Sequence, residues 1–330
     1  MSTARNGGRG GTQQTARAAF GSNLINRCRH ILRRRAFLVL LLPALVIYLA
    51  LVIYPFLNSL RTSLFDWKGI GEMKFVGLEN FKRLLFISPY RGDFFNALKH
   101  NGIFFFLSML MKVVCGLLVS LILAQKLKGA SIFRTIYFVP ITLSMTVVGY
   151  LWGLLLNPQW GVVNRLLTLV GLGKFALSWL GDPSLALPTV VGVHAWRSIG
   201  FVVVILHAAI LSIPNELFDS ARIDGASRFQ YARRITLPLL LPTILTVTTL
   251  EFIWSMDVFD IIYALTGTAG GPYHSTDVLG LLFYRTAFGG FSGSATEMGM
   301  GAAIAVLMFL IILPVSLVIT SFRRRTETTF

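Results

Sequence analysis

The sequence predicts an all-α membrane protein of six transmembrane helices. Three observations carry this: six apolar windows long enough to cross a bilayer, too few charges to cover a soluble domain, and a steep asymmetry of Lys and Arg between alternate loops. Of 330 residues, 55% are hydrophobic and 13% charged, whereas a soluble domain carries about 25% charged residues. The net charge of +16, from 30 Lys and Arg against 14 Asp and Glu, would suit a nucleic-acid surface on a polar domain. A mean hydropathy of +0.70 excludes such a domain. Cys28 and Cys115 fall in a tail and an apolar span, so they offer neither a disulfide framework nor a cysteine metal site. The five histidines are scattered without ligand spacing, and no metal is expected.

Residues 1–35 are rich in Gly, Arg and Gln without periodicity and read as a basic, disordered tail. A bilayer core about 30 Å thick asks for roughly 20 mostly apolar residues per helix. The first span runs from Ala36 to Leu57. Arg34-Arg35 before it resembles a twin-arginine export signal, but the apolar run exceeds the roughly 7–15 residues of such a signal and lacks its cleavage site. The remaining spans are Asn101–Ala124, Ile136–Leu156, Pro188–Ser212, Pro238–Leu265 and Met298–Phe322, closing a membrane domain over 36–322 with a tail at 323–330. In the loop 58–100, Phe75, Leu78, Phe81, Leu84 and Leu85 recur at helical spacing and predict an interfacial helix. Leu166, Leu167, Val170 and Leu172 predict a second one between the third and fourth spans.

Six spans place both termini on one side, which collects 18 basic residues against four acidic, while the other side has ten against seven. The positive-inside rule makes the first side the cytoplasm of a plasma-membrane protein. One cytoplasmic loop, 213–237, reads as a helix-turn-helix. Pro214 suits a first turn, Glu216 supports the helix dipole, Asp224-Gly225 makes a turn, and Ser227 caps a second helix ending near Pro238. Its apolar face of Leu217, Phe218, Ala221, Phe229, Ala232 and Ile235 has no evident cover except the membrane surface.

Ionisable residues within spans are costly and face the bundle interior. Lys112, Arg197, Glu251, Asp257 and Asp260 permit structural pairing or snorkelling. They also permit a polar path, for which Glu251, Trp254 and Asp257, with Trp196 and Arg197 opposite, are the candidates: carboxylates accept hydroxyl hydrogen bonds and aromatic rings offer apolar faces. Phe259 and Tyr263 share one helical face and suit packing. Met298, Gly299, Gly301, Ala302 and Ala303 suit close helix contact.

The loop resembles the EAA loop of inner-membrane permeases of binding-protein-dependent ABC importers, through Ala221, Asp224, Gly225, Ala226, Ile235, Leu237 and Pro238. Asp219, Ser220 and Ala232 stand where that family usually has Glu, Ala and an aromatic residue. FVGLENFKRLL, FRTIYFVP, IPNELFDSARIDGAS with ITLPLLLPTI, and FDIIYALTGTAGGP make the chain similar to the sugar branch, maltose and glycerol-3-phosphate types included. The resemblance implies the type I importer permease fold and a coupling element made of Glu216, Asp219, Ala221, Asp224, Gly225 and Ala226 that docks on a separate ATPase. It further implies a heterodimer with a second permease, two cytoplasmic ATPase subunits and an extracytoplasmic binding protein. No GxxxxGK[ST] motif occurs in the chain, so ATP belongs to the partner and the chain is not an enzyme. The expected cargo is a sugar or oligosaccharide; the alternatives are glycerol-3-phosphate, another polar solute, or a stand-alone secondary transporter, which should contain an internal repeat that is not evident.

Overall fold

A computed structural model describes residues 40–124, 130–289 and 296–326; the expected tail 1–35 and loop residues Lys126 and Lys128 lie outside them. The chain divides into two compact units, Met1–Asn58 and Ser59–Phe330. The described part of the first belongs to one apolar helix, α1 (Leu40–Thr62), which continues past the expected end at Leu57.

After the end of α1, the second unit has a hairpin of two-residue strands, β1 (Phe65–Asp66) and β2 (Lys74–Phe75), in which Phe65 pairs with Phe75. Phe75 was expected on the interfacial helix; an edge-on ring contact with Phe65 at 5.4 Å holds it in a strand instead. The helix itself, α2 (Glu79–Phe86), starts four residues later and buries Leu84. Asn80 donates to the carbonyls of Ser63 and Phe65, at 2.9 and 3.0 Å, tying α2 to the hairpin.

The second span is α3 (Tyr90–Leu123), eleven residues longer at its start than the apolar window. Arg91, Asp93, Asn96, Lys99 and His100 end the apolar run in sequence, yet the helix continues because Phe94 and Ala97 on one face pack with Leu84, Leu279, Leu282, Met300 and Ile304. The third span is not straight. α4 (Ala130–Phe138) gives way to a 3₁₀ turn, Val139–Thr142, and then α5 (Met145–Leu155). The two halves meet at 104°. Pro140 within the turn and the extended backbone of Leu143 break the hydrogen-bond ladder. α6 (Val162–Leu169) is the second expected amphipathic helix; Asn164 fixes it by donating to Leu177 O at 2.9 Å and accepting from the Trp179 indole at 2.7 Å.

The fourth span, α7 (Pro183–Leu211), starts before Pro188 because Asp182 caps it, its carboxylate accepting from Ser184 N at 2.8 Å. After the short α8 (Asn215–Ile223), the fifth span α9 runs without interruption over Phe229–Met256. It was expected to reach Leu265. It stops at Met256 because the side-chain amide of Asn101, fully buried, donates to the Ser255 and Met256 carbonyls at 2.7 and 3.3 Å, and its Oδ1 accepts from Leu279 N at 2.8 Å. Val258 and Phe259 are then non-helical before α10 (Asp260–Thr266) and α11 (Leu279–Phe288). Between these, Asp277 forms a bidentate pair with Arg285 at 2.7 and 3.2 Å. Burial pushes the Asp277 carboxyl above its ordinary range, and Arg285 draws it back only in part.

The sixth span, α12 (Met298–Thr326), absorbs Arg323, Arg324 and Arg325 into its last turn instead of leaving them in a tail. Its small residues serve close contact as expected: a Cβ on Gly299 would fall on the Phe65 carbonyl, and one on Gly301 against Ala287.

One ionic contact sits in the middle of this unit. Lys112 Nζ lies 2.6 Å from Glu251 Oε2, with side chains 0% and 1% exposed. A π-turn over Leu110–Val114 in α3 contains Lys112, and Val113, Val202, Leu206 and Val247 pack as one apolar cluster that joins α3, α7 and α9. Removing one partner of a buried pair costs about 3–5 kcal/mol because the other is left uncompensated, whereas replacing both with apolar side chains is often neutral. Glu251→Gln should therefore lower the thermal midpoint of the detergent-solubilised protein well below that of Lys112→Met/Glu251→Leu; equal midpoints would show that the pair does not hold α3 to α9.

Candidate functional site

Two places on the second unit carry chemistry, and α9 connects them. The first is the turn between α8 and α9. Pro214 caps α8 with φ −56° and ψ 135°, one residue ahead of its expected first-turn place, and Glu216 lies in the first turn. The helix ends in a paired-bond cap: Ala226 N–H reaches Ala221 O at 2.9 Å and Gly225 N–H reaches Arg222 O at 3.1 Å. This closure needs a left-handed residue, which Gly225 supplies with φ +72°. Ser227 and Gln230 then cap α9 reciprocally, Ser227 N donating to Gln230 Oε1 at 2.8 Å and Gln230 N to Ser227 Oγ at 3.3 Å.

The expected second helix of the pair does not end near Pro238 but is the first turn of α9 itself. A π-turn over Ala232–Thr236 precedes Pro238 and accommodates a ring that a regular α-turn would clash with. The apolar face is covered in part within the chain, Phe229 remaining exposed. Phe218 meets the Tyr231 ring at 4.5 Å and Ala221 is buried, so α8 and the start of α9 cover each other. Of the expected coupling residues, Glu216, Asp219, Asp224 and Gly225 are exposed, Ala226 is half-buried and Ala221 faces inward. Ile223 and Phe229, 86% and 73% exposed, flank the turn. Ile223 escaped the sequence reading because it is a lone apolar residue between Arg222 and Asp224, off the face formed by Leu217, Phe218 and Ala221.

The second place is a cavity of about 380 Å³ at the far end of α9, lined by Trp254, Asp257, Phe259, Asp260, Arg197, Ser198, Phe201 and His194, with Ile141 and Met145 opposite. Arg197, Trp254 and Asp257 thus meet as expected. Glu251 does not reach the lining, since Lys112 holds it inside the bundle. Trp196 is also elsewhere: neighbours on a helix point about 100° apart, and Trp196 packs edge-on against Trp152 at 5.4 Å. His194, Ser198 and Phe201, which the sequence reading did not select, share the Arg197 side of α7. Their signal was the spacing of His194 and Ser198, four apart and hence on one face.

Electrostatically the cavity wall is unequal. Arg197 donates Nε–H to Leu143 O at 2.9 Å and Nη2–H to Ile141 O at 3.0 Å, satisfying carbonyls freed by the bend in the third span. Two of its five N–H donors are therefore committed to backbone, while Asp257 and Asp260 are exposed. Trp254 and Phe201 pack at 5.4 Å and add flat apolar walls. The buried pair touches the cavity through Ser198, whose hydroxyl accepts from Lys112 at 3.1 Å and donates to His194 O at 2.6 Å. The Lys112 ammonium lies 6.0 Å from the Trp254 ring. Such a wall accepts hydroxyl hydrogen bonds and stacks apolar sugar faces.

Residues 113–328 match the family described as the binding-protein-dependent transport system inner membrane component. The chain is 35% identical over 285 residues, 86% of this chain and 94% of the other, to a probable ABC transporter permease protein of Bacillus subtilis. It is 33% identical over 307 residues, 92% of this chain and 99% of the other, to the trehalose/maltose transport system permease protein of Thermococcus litoralis. A chain in the crystal structure of a bacterial alginate ABC transporter in complex with an alginate pentasaccharide-bound periplasmic protein superposes with a TM-score of 0.71 at 25% identity, covering 92% of this chain and 99% of that one. This multi-pass chain, with its type I importer permease fold, belongs to the inner-membrane components of binding-protein-dependent transport systems, the ABC transporter permease subunits, which are not themselves enzymes.

Proposed function

We propose that this chain is the permease subunit through which an ATP-driven importer passes a neutral sugar or oligosaccharide across the plasma membrane. The observation that carries the reading is the continuity of α9. One helix of 28 residues, about 40 Å long at 1.5 Å per residue, begins at the exposed Gly225 turn and ends at the Trp254–Asp257 cavity wall. A displacement imposed at the turn therefore reaches the cavity along one continuous helix. Glu216, Asp219, Asp224, Gly225 and Ala226 would face a cytoplasmic ATPase, with Ala221 setting the spacing between α8 and α9 from beneath. ATP is held by that partner, consistent with the lack of a phosphate-binding loop in this sequence. Two ATPase subunits, a second permease forming a heterodimer, and an extracytoplasmic binding protein complete the assembly, with both termini cytoplasmic as the loop charges indicate.

A phosphate ester such as glycerol-3-phosphate is the second reading, and the cavity favours it less: Arg197 already serves two carbonyls, and Asp257 and Asp260 add negative charge to the same wall. The relatives support a carbohydrate, one being a trehalose/maltose permease and one a chain of an alginate transporter.

Gly225→Val should abolish substrate-stimulated ATPase activity and uptake by the assembled complex while membrane insertion stays normal. Nothing lies within 4 Å of a Cβ at that position, so the effect comes from the left-handed backbone and not from a clash. Wild-type uptake by this variant would exclude the coupling role. In a Cys28→Ser/Cys115→Ser background, a membrane-impermeant thiol reagent applied from outside should label Tyr273→Cys, 91% exposed, and leave Phe229→Cys unlabelled until the membrane is opened; the reverse pattern would invert the topology.

A further inference from the structure

A second cavity, of about 440 Å³, lies on the other side of Asp257 and Phe259, between α11 and α12. Those two residues line both cavities, so the spaces adjoin across one carboxylate and one ring. The floor of the second is aromatic. Tyr284 meets Phe259 at 5.1 Å, and Phe283 and Phe309 line the same space. The opposite wall is α12 at Ala305, Met308 and Ile312. Each volume falls in the range of about 300–1,000 Å³ typical of small-ligand sites. A lipid chain would fit the Met308 side, but only a ligand with hydroxyl groups can use the Asp257 carboxylate and the Tyr284 phenol together with the ring face.

Resting on the carbohydrate-import reading, we propose that the two cavities are successive subsites for one extended oligosaccharide: the leading units lie against Trp254 and Asp257, and the units behind them stack on Tyr284. Asp257 and Phe259 are then shared by both, and the chain selects cargo by length as well as by charge. Small residues make the second subsite possible, since Ala305 is the position from which a larger side chain would fill it.

The test uses the complete transporter with its binding protein in liposomes and four neutral series, of glucosides, galactosides, xylosides and N-acetylglucosaminides, each from one to four units. Because the binding protein is common to all variants, its own selectivity cancels in the comparison with wild type. Tyr284→Ala should lower uptake of tri- and tetrasaccharides roughly fivefold, the loss of one aromatic stacking contact, and leave mono- and disaccharides nearly unchanged. Tyr284→Trp should restore the longer cargo. Ala305→Phe, which fills the space without removing a ring, should reduce the longer cargo on the order of tenfold and spare the shorter. Equal losses at every length would mark both residues as structural and overturn the proposal, and so would an absence of any loss. If wild type imports none of the four series, the carbohydrate reading itself fails and takes this inference with it, an outcome visible before any variant is compared.

Discussion

Hydrocarbon offers no hydrogen bonds, so every carbonyl or amide released from a helix within the membrane must be met by another part of the protein. This constraint explains why so few polar side chains here suffice to organise so much structure. Asn101 ends α9 by taking two of its terminal carbonyls and starts α11 by accepting from its first amide. Asn80 anchors α2 to the carbonyls beside the β-hairpin. Arg197 closes the bend of the third span. Asn80 and Asn101 do this from buried positions and Arg197 from a half-buried one.

The same constraint decides which charges serve the cargo and which serve the fold. Lys112 and Glu251 compensate one another and leave no charge for a ligand, while Ser198 links them to the cavity wall. Arg197 is at the cavity but gives two of its five N–H donors to backbone. The cavity then offers a solute Asp257, Asp260, the remaining Arg197 donors and several rings, next to the end of a helix whose other end is the Gly225 turn. In the proposed role, recognition and mechanical coupling share one continuous helix, with the cavity wall at one end of α9 and the turn at the other.

Much of this was legible in the sequence. Six apolar windows gave the spans, and Asp224-Gly225 with Ser227 gave the turn and its caps. What escaped has a common physical origin: tertiary contacts overrode local pattern. Tyr90–His100 looks like loop because it is polar, yet one apolar face buries it as helix. The stretch through Val258 and Phe259 looks like uninterrupted span, and only the distant Asn101 stops it. Trp196 and Arg197 are adjacent in sequence and so were grouped, although a helix turns them apart. The pairing of Lys112 with Glu251 was one of two readings that composition allowed, and only the folded geometry separates it from the path.

The Arg197 contact also bears on how the protein is made. Its two acceptors precede it by 54 and 56 residues, so the bend leaves the ribosome before the side chain that satisfies it exists. At about 5–20 residues per second, roughly three to ten seconds separate the two. During that interval the freed carbonyls of Ile141 and Leu143 need water, which holds the bend at a wetted surface and not in the hydrocarbon interior. The third and fourth spans must then settle together, as a pair whose later member completes the earlier.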